Sequence, residues 1–209
     1  MKSQLYILIL LILLCISPCT IAQPGGNNYL DTVIEQLDSS TGITAHFTLQ
    51  GEADSGLFMQ GSIKMQGKKF SIHTQDLTTW YDGKTMWTYA ASIGEVNITT
   101  PTPQELAEVN PYLILDNYKH SFVVKELNSA QRGERLFHLT PTKRNTSINH
   151  IILTIATQEM APIAFEITDN NNNTILVNIT NYNNKAHLPA SAFTFDKTLY
   201  PHADIIDLR

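Results

Sequence analysis

Histidine and carboxylate side chains are the residues of this sequence that could support a metal site or acid–base catalysis. The seven histidines never occur at the i, i+2 or i+4 spacings that place two ligands on one face, and none lies in an HExxH pattern. His46 and His73 fall on the polar phase of alternating segments. The GxSxG and SxxK nucleophile motifs do not occur either. The sequence leaves two alternatives open: a metal site built from distant strands, and a catalytic pair of carboxylates. No motif favours an enzyme.

The stretch TTWYDGKTMWTY, residues 78–89, holds both tryptophans of the chain. Asp82-Gly83 between strand-like flanks predicts a two-residue type I′ hairpin loop, which would place Tyr81 opposite Lys84. Side chains that lie directly opposite share a face of the sheet. One face is then expected to carry Trp80, Trp87 and Tyr89. That face is interpreted as one panel of an apolar concave wall, with closed core as the alternative.

The first 22 residues are typical of a secretory signal peptide. Lys2 precedes the apolar run LYILILLILLCI, which is shorter than the roughly 20 residues of a membrane span. The site Thr20-Ile21-Ala22 predicts cleavage after Ala22 and leaves residues 23–209 as a single domain. Both cysteines lie in the removed segment, and the net charge changes from −5 to 13 − 19 = −6. An acidic surface argues against nucleic acid as a partner.

Apolar periodicity predicts two helical regions that frame the first strands. Residues 29–38 have helical spacing, with the apolar stripe Leu30, Val33, Ile34 and Leu37. Thr102-Pro103 with Glu105 forms a capping-box pattern, and the region that it opens, residues 102–118, carries Leu106, Val109 and Leu113.

From residue 43 the hydrophobic period changes to two, which predicts strands in successive hairpins. The inward-facing positions of the first strands include Phe47, Leu49, Met59, Ile63, Met65, Phe70 and Ile72. About ten strands and two or three short helices follow from this pattern, with a last short strand near residues 193–195. The sequence therefore predicts a mainly β (α+β) fold, in which one antiparallel sheet curls into a barrel or half-barrel.

Several segments resemble the LolA family, the periplasmic carriers of lipoproteins to the outer membrane of Gram-negative bacteria. They are GSIKMQGKKFSI, WYDGKTMWTY, VNITTPTPQEL and a terminal FTFD…ADIIDL, and the resemblance covers nearly all of the mature chain. The polar, asparagine-rich style is similar to LolA-like members of Bacteroidota. The resemblance implies an incomplete, half-open barrel of ten or eleven strands, with the helices at 29–38 and 102–118 as a lid over a concave apolar face.

The same resemblance implies a soluble, monomeric carrier and no enzyme or cofactor. Its partners would be the acyl chains of lipoproteins, an inner-membrane ABC-type releasing complex and an outer-membrane acceptor. The cavity and lid residues expected to bind acyl chains are Leu30, Val33, Ile34, Leu37, Phe47, Leu49, Met59, Ile63, Met65, Phe70, Ile72, Trp80, Trp87, Tyr89, Leu106, Val109 and Leu113.

Two features of the sequence bear on this expected role. Gly67-Lys68-Lys69 stands where typical members carry Arg-Pro, and lysine lacks the planar donor fork of the arginine that latches the lid. The alternative function is a sensing or regulatory domain on the same fold. Because such regulators carry a second domain and this chain stops at Arg209, the sequence favours the carrier.

Overall fold

The computed structural model describes residues 28–209 except 53–54, 116–117, 130 and 144–145. The predicted signal peptide lies outside the described residues. The described chain begins with helix α1 (Asn28–Asp38), whose apolar stripe has the predicted spacing. Six strands follow: β1 (Ile43–Gln50), β2 (Phe58–Gln66), β3 (Lys69–Thr74), β4 (Leu77–Tyr81), β5 (Met86–Ala90) and β6 (Glu95–Thr99).

The second helical region is three short segments: α2 (Pro103–Val109), a 3₁₀ turn (Pro111–Leu115) and α3 (Tyr118–Ser121). The capping box of α2 is present. Glu105 N–H donates to Thr102 Oγ1 at 3.3 Å, and Thr102 N–H donates to Glu105 Oε2 at 2.7 Å. These bonds satisfy N–H groups that a helix start otherwise leaves unpaired. Helix α2 ends at Asn110, which is extended because the α conformation is disfavoured before a proline.

Six more strands complete one sheet: β7 (Phe122–Leu127), β8 (Glu134–Pro141), β9 (Ile148–Ala156), β10 (Ala161–Asp169), β11 (Thr174–Asn183) and β12 (Asp204–Asp207). Their order is β12-β6-β5-β4-β3-β2-β1-β11-β10-β9-β8-β7. All these pairings are antiparallel except β12 with β6. Strands β7 and β12 end the sheet without pairing to each other, so the predicted incomplete barrel is confirmed, with twelve strands rather than ten or eleven.

The hairpin between β4 and β5 differs from the prediction in its register. Tyr81 lies opposite Met86 rather than Lys84, and Asp82 N–H donates to Thr85 O at 3.2 Å. The two turn residues are therefore Gly83 and Lys84. The side chain of Asp82 explains the change, because its Oδ1 accepts from the N–H groups of both Lys84 (2.9 Å) and Thr85 (2.8 Å). Gly83 has φ +102°, which a residue with a side chain rarely adopts.

One face of the sheet, which we call the helix-covered face, packs against α1. Its buried side chains form one core with the helix stripe. Phe137 and Phe165 from the sheet and Leu30 and Val33 from α1 are all fully buried there. The helix-covered face also carries Phe70, which lies opposite Tyr81.

The opposite face, the outer face, carries the tryptophans. Trp80 lies opposite Trp87, and Thr78 opposite Tyr89, so the prediction that the three aromatic side chains share a face is confirmed. The interpretation of that face as part of the concave wall is wrong. Strand residues alternate, and since Tyr81 belongs to the helix-covered core, its neighbour Trp80 must point the other way.

The C-terminal segment covers these aromatic side chains on the outer face. The ring of Trp80 lies 5.7 Å from Phe195 and 5.6 Å from Tyr200, and Tyr200 lies 4.7 Å from Tyr89 (ring centroids). The prediction of a short strand near residues 193–195 is wrong, because this part of the chain forms a 3₁₀ turn at Ala190–Phe193 and a second at Lys197–Leu199. Phe193, at the end of the first of these turns, is fully buried.

Candidate apolar binding site

A cavity of about 290 Å³ lies between α1, the 3₁₀ turn at Pro111–Leu115 and the adjoining ends of β1 and β2. Most of its lining is apolar, and one carboxylate and one ammonium group border it. The lining residues are Ile34, Leu37, Asp38, Ile43, Met65, Gly67, Lys68, Tyr112, Leu113 and Leu115. The cavity is thus roofed by the two covering segments and floored by the sheet.

Helix α1 roofs the cavity through its apolar stripe. Leu30 and Val33 are fully buried, and Leu37 retains 8% of its exposure. Positions separated by three, four and seven residues lie on one side of a helix, which is why these side chains all reach the sheet. Each such buried aliphatic side chain contributes about 1.5–3 kcal/mol of burial free energy. Apolar packing therefore supplies most of what holds α1 on the sheet.

Thirteen of the seventeen predicted binding residues meet in the helix-covered core, and four lie outside it. Those buried in the core are Leu30, Val33, Leu37, Ile63, Met65 and Phe70. Those partly buried against it are Ile34, Phe47, Leu49, Ile72, Leu106, Val109 and Leu113. Met59, Trp80, Trp87 and Tyr89 are not part of it. Of the whole set, the cavity itself touches Ile34, Leu37, Met65 and Leu113.

Sequence reasoning missed several residues that border the cavity. Tyr112 and Leu115 belong to PYLILDNY, whose apolar content exceeds that of a surface helix and was the available signal. Gly67 and Lys68, from the turn that replaces the family's Arg-Pro, border the cavity as well. Gly67 has φ +55° in that tight turn.

A polar contact joins α1 to α3 at Asp31. Tyr118 Oη donates to Asp31 Oδ1 at 2.6 Å, and Lys119 Nζ lies 2.7 Å from the same oxygen. Burial alone would raise the pKa of Asp31, but the hydrogen bonds from Lys119 and Tyr118 outweigh it and hold the pKa below its ordinary value. The carboxylate is therefore charged at neutral pH and connects the two covering helices.

A second polar contact holds the start of α1 to strand β8. The guanidinium carbon of Arg135 lies 3.8 Å from the ring centroid of Tyr29. Arg135 Nε and Nη2 donate to the two carboxylate oxygens of Glu126, each at 2.7 Å. This forked pair fixes the guanidinium plane, so that it offers its face to the aromatic ring of the helix.

The histidines lie mainly on the outer face and form no metal centre in the described chain. His46 Nδ1 lies 2.9 Å from Asn181 Nδ2, and His73 meets the edge of Trp80 at 5.9 Å between centroids. His138 and His150 stack at 5.0 Å. Among the described residues, no three His, Cys, Asp or Glu side chains converge in a way that could hold a metal ion.

The fold and the cavity together define a half-open β-sheet protein whose apolar face is covered by short helices. No helix among the described residues combines the length and the apolar character needed to cross a membrane. The family model for the outer membrane lipoprotein carrier protein LolA matches residues 20–171, and the chain belongs to this family. No protein with a curated description matches the sequence.

Comparison with solved structures finds similar chains at low sequence identity. An uncharacterized conserved protein from Thermus thermophilus superposes with a TM-score of 0.56 at 12% identity, over 85% of this chain and 98% of that one. A LolA superfamily protein from Nitrosomonas europaea gives a TM-score of 0.43 at 11% identity, over 80% and 98%. A chain of the Pseudomonas aeruginosa MucA/MucB complex gives 0.42 at 12% identity, over 80% and 60%.

Proposed function

We propose that this protein is a soluble periplasmic carrier that holds the acyl chains of lipoproteins between its sheet and α1. It would receive them from an inner-membrane ABC-type complex and deliver them to an outer-membrane acceptor. The single observation that carries the proposal is the apolar cavity of about 290 Å³ under an amphipathic helix. Membership of the LolA family supports lipoproteins as the class of cargo.

The energetics of an acyl chain suit such a cavity. Exposing a chain to water costs about 0.8 kcal/mol per CH₂, or roughly 12 kcal/mol for sixteen carbons. Ligand pockets span about 300–1,000 Å³, and the cavity of about 290 Å³ lies just below that range. A long chain therefore requires the covering segments to move outward. Met65 in the wall suits guests of variable shape, because a thioether side chain is flexible and polarisable.

The contacts of α1 are consistent with a cover that opens. One of its polar contacts to the rest of the chain, the ion pair of Asp31 with Lys119, uses a half-exposed lysine side chain that can separate from the helix. When the helix opens, its apolar stripe loses its contact with the sheet and would be exposed to water. A guest chain can take the place of the sheet in that contact, so that opening has little net cost. A packed core helix with no adjoining cavity would not offer this exchange.

Native mass spectrometry of protein purified from the periplasm tests acyl-chain binding, and release of lipoproteins from spheroplasts tests carriage. A charge in the wall, Ile34→Asp, should abolish both. The matched control is Val123→Asp, since Val123 is 54% exposed on β7, away from the cavity. Circular dichroism must show both variants folded. A wild-type protein that carries no chain and releases no lipoprotein refutes the proposal.

A further inference from the structure

Three polar groups beside the cavity are buried without a good hydrogen-bond partner. The hydroxyls of Tyr112 and Tyr182 are shielded from solvent, and neither has a partner among the described residues. Asn110 is completely buried, and within the described part of the chain its amide Nδ2 reaches only the sulfur of Met65, at 3.6 Å. Leaving a buried polar group unpaired costs about 1–3 kcal/mol, so native proteins rarely keep several together.

These groups are held in place by their surroundings. Tyr112 N–H donates to Asn110 Oδ1 at 3.1 Å, which leaves the amide Nδ2 as the group that faces Met65. The ring of Tyr112 meets Phe165 edge-on at 5.6 Å between centroids. Both Tyr112 and Met65 line the cavity. Tyr112 therefore belongs to the cavity wall, Asn110 contacts the wall residue Met65, and Tyr182 packs against the same core from strand β11, near enough to Tyr112 to influence its titration.

All three groups act as hydrogen-bond donors at neutral pH. Burial raises the pKa of Tyr112, and the phenol of Tyr182 adds to the shift. Burial also raises the pKa of Tyr182 to about 12. Both phenols therefore keep their protons, and the free hydrogens of the Asn110 amide are donors by nature. A cluster of unpaired donors is complementary to an acceptor oxygen.

We propose that Asn110, Tyr112 and Tyr182 form a subsite for the carbonyl oxygen of an acyl group, so that the cavity distinguishes an acyl chain from a plain hydrocarbon. The inference rests on the proposed function, because it assigns the polar end of the same guest. Outward movement of α1 and the 3₁₀ turn uncovers the two hydroxyls. The carbonyl then accepts the hydrogen bonds that the closed protein leaves unmade.

Calorimetric titration with three twelve-carbon probes tests this subsite: methyl dodecanoate, dodecanoic acid and dodecane. One net hydrogen bond corresponds to about tenfold in affinity. Wild-type protein should therefore bind a carbonyl-bearing probe about tenfold more tightly than dodecane. Preference for the ester identifies an ester-linked chain as the natural guest, and preference for the acid identifies a free fatty acid. Equal binding of all three overturns the subsite while leaving the carrier function in place.

Tyr112→Phe and Tyr182→Phe remove one donor each and should each reduce the preference for the carbonyl several-fold. The double variant should reduce the preference further, to the part that the remaining donor, the Asn110 amide, can supply. Tyr89→Phe is the matched control, because it removes the same phenol hydroxyl from a residue on the outer face, away from the cavity. If neither single variant alters the preference, the assignment is wrong. If no probe binds wild-type protein, the proposed function fails and this inference with it.

Thermal unfolding supplies a second readout that does not depend on any guest. Because each hydroxyl is unpaired, its removal should raise the midpoint of the unliganded protein by about 2–4 °C. The same variant would then be more stable and bind the carbonyl less well, as expected where a site holds unsatisfied groups for a ligand. A fall in the midpoint of both variants would show that the hydroxyls are already satisfied, and would overturn the subsite.

Discussion

Replacing Asp31 with asparagine should loosen α1 without unfolding the sheet. The bond of 2.6 Å from Tyr118 to the carboxylate is charge-assisted and contributes about 1.5–3 kcal/mol. The pair with Lys119, whose side chain is 50% exposed, adds at most about 1 kcal/mol. Asparagine keeps a weaker neutral bond, so the net loss is about 2 kcal/mol. That difference raises the population with α1 detached roughly 30-fold.

Native-state hydrogen exchange of the α1 amides measures this opening directly. The amides of Leu30 to Leu37 should exchange roughly 30-fold faster in the Asp31→Asn variant, while those of β9 and β10 keep their rates. Glu35→Gln is the matched control, since Glu35 is an exposed carboxylate on the same helix. If the α1 amides exchange only together with the sheet, the helix opens by global unfolding alone, and the account of α1 as a separate cover is refuted.

Three further outcomes follow from the same contacts. Arg135→Lys removes the planar stack on Tyr29 and should speed exchange at the start of α1 several-fold, as expected for a loss of about 1 kcal/mol. Because the pKa of Asp31 is depressed below 3.8, its contribution is complete above that pH. The contribution is lost as pH falls through the folded pKa, so wild-type α1 exchange should approach that of Asp31→Asn only below about pH 4. Ile72→Ala should weaken acyl-chain binding in titrations. Trp87→Ala, on the outer face, should lower the thermal midpoint and leave binding unchanged.

Signals confined to a few neighbouring residues predicted much of the fold. The stripe of α1 and the capping box at Thr102 depend only on residues within two helical turns, and both are present. The turn at Asp82 was placed one residue early, because the sequence does not reveal that its side chain accepts two backbone N–H groups. The assignment of the hairpin side chains to the two faces of the sheet was nevertheless correct. The resulting register shift is two residues, and side chains alternate with a period of two.

The side of the sheet on which the aromatic face lies could not be predicted from local patterns. Strands β3 to β5 are apolar on both sides, with Phe70 on one and Trp80 on the other. Which side receives α1 depends on where the C-terminal segment returns, more than 100 residues along the chain. Phe195 and Tyr200 cover Trp80, so that only the other side is left for the helix. No period in the sequence encodes that choice.

The two covers of the sheet differ in kind, and this difference bears on where a guest would enter. On the outer face, the cover is a crossing segment fixed by ring contacts at Trp80 and continued into a paired strand, β12. Lifting it would break backbone ladder bonds as well as aromatic packing. On the helix-covered face, α1 is not a member of the strand ladder within the described chain, and its own helical hydrogen bonds travel with it. Opening there breaks no strand ladder, and an acyl chain can replace the apolar contacts that are lost. We therefore expect that tying α1 to the turn between β9 and β10 blocks acyl-chain uptake. Gln36 Nε2 already donates to Glu159 O at 3.2 Å, and cysteines at these two positions, joined by a short bifunctional maleimide, would provide the tie. Uptake by the joined protein at the wild-type rate would show that the guest enters elsewhere.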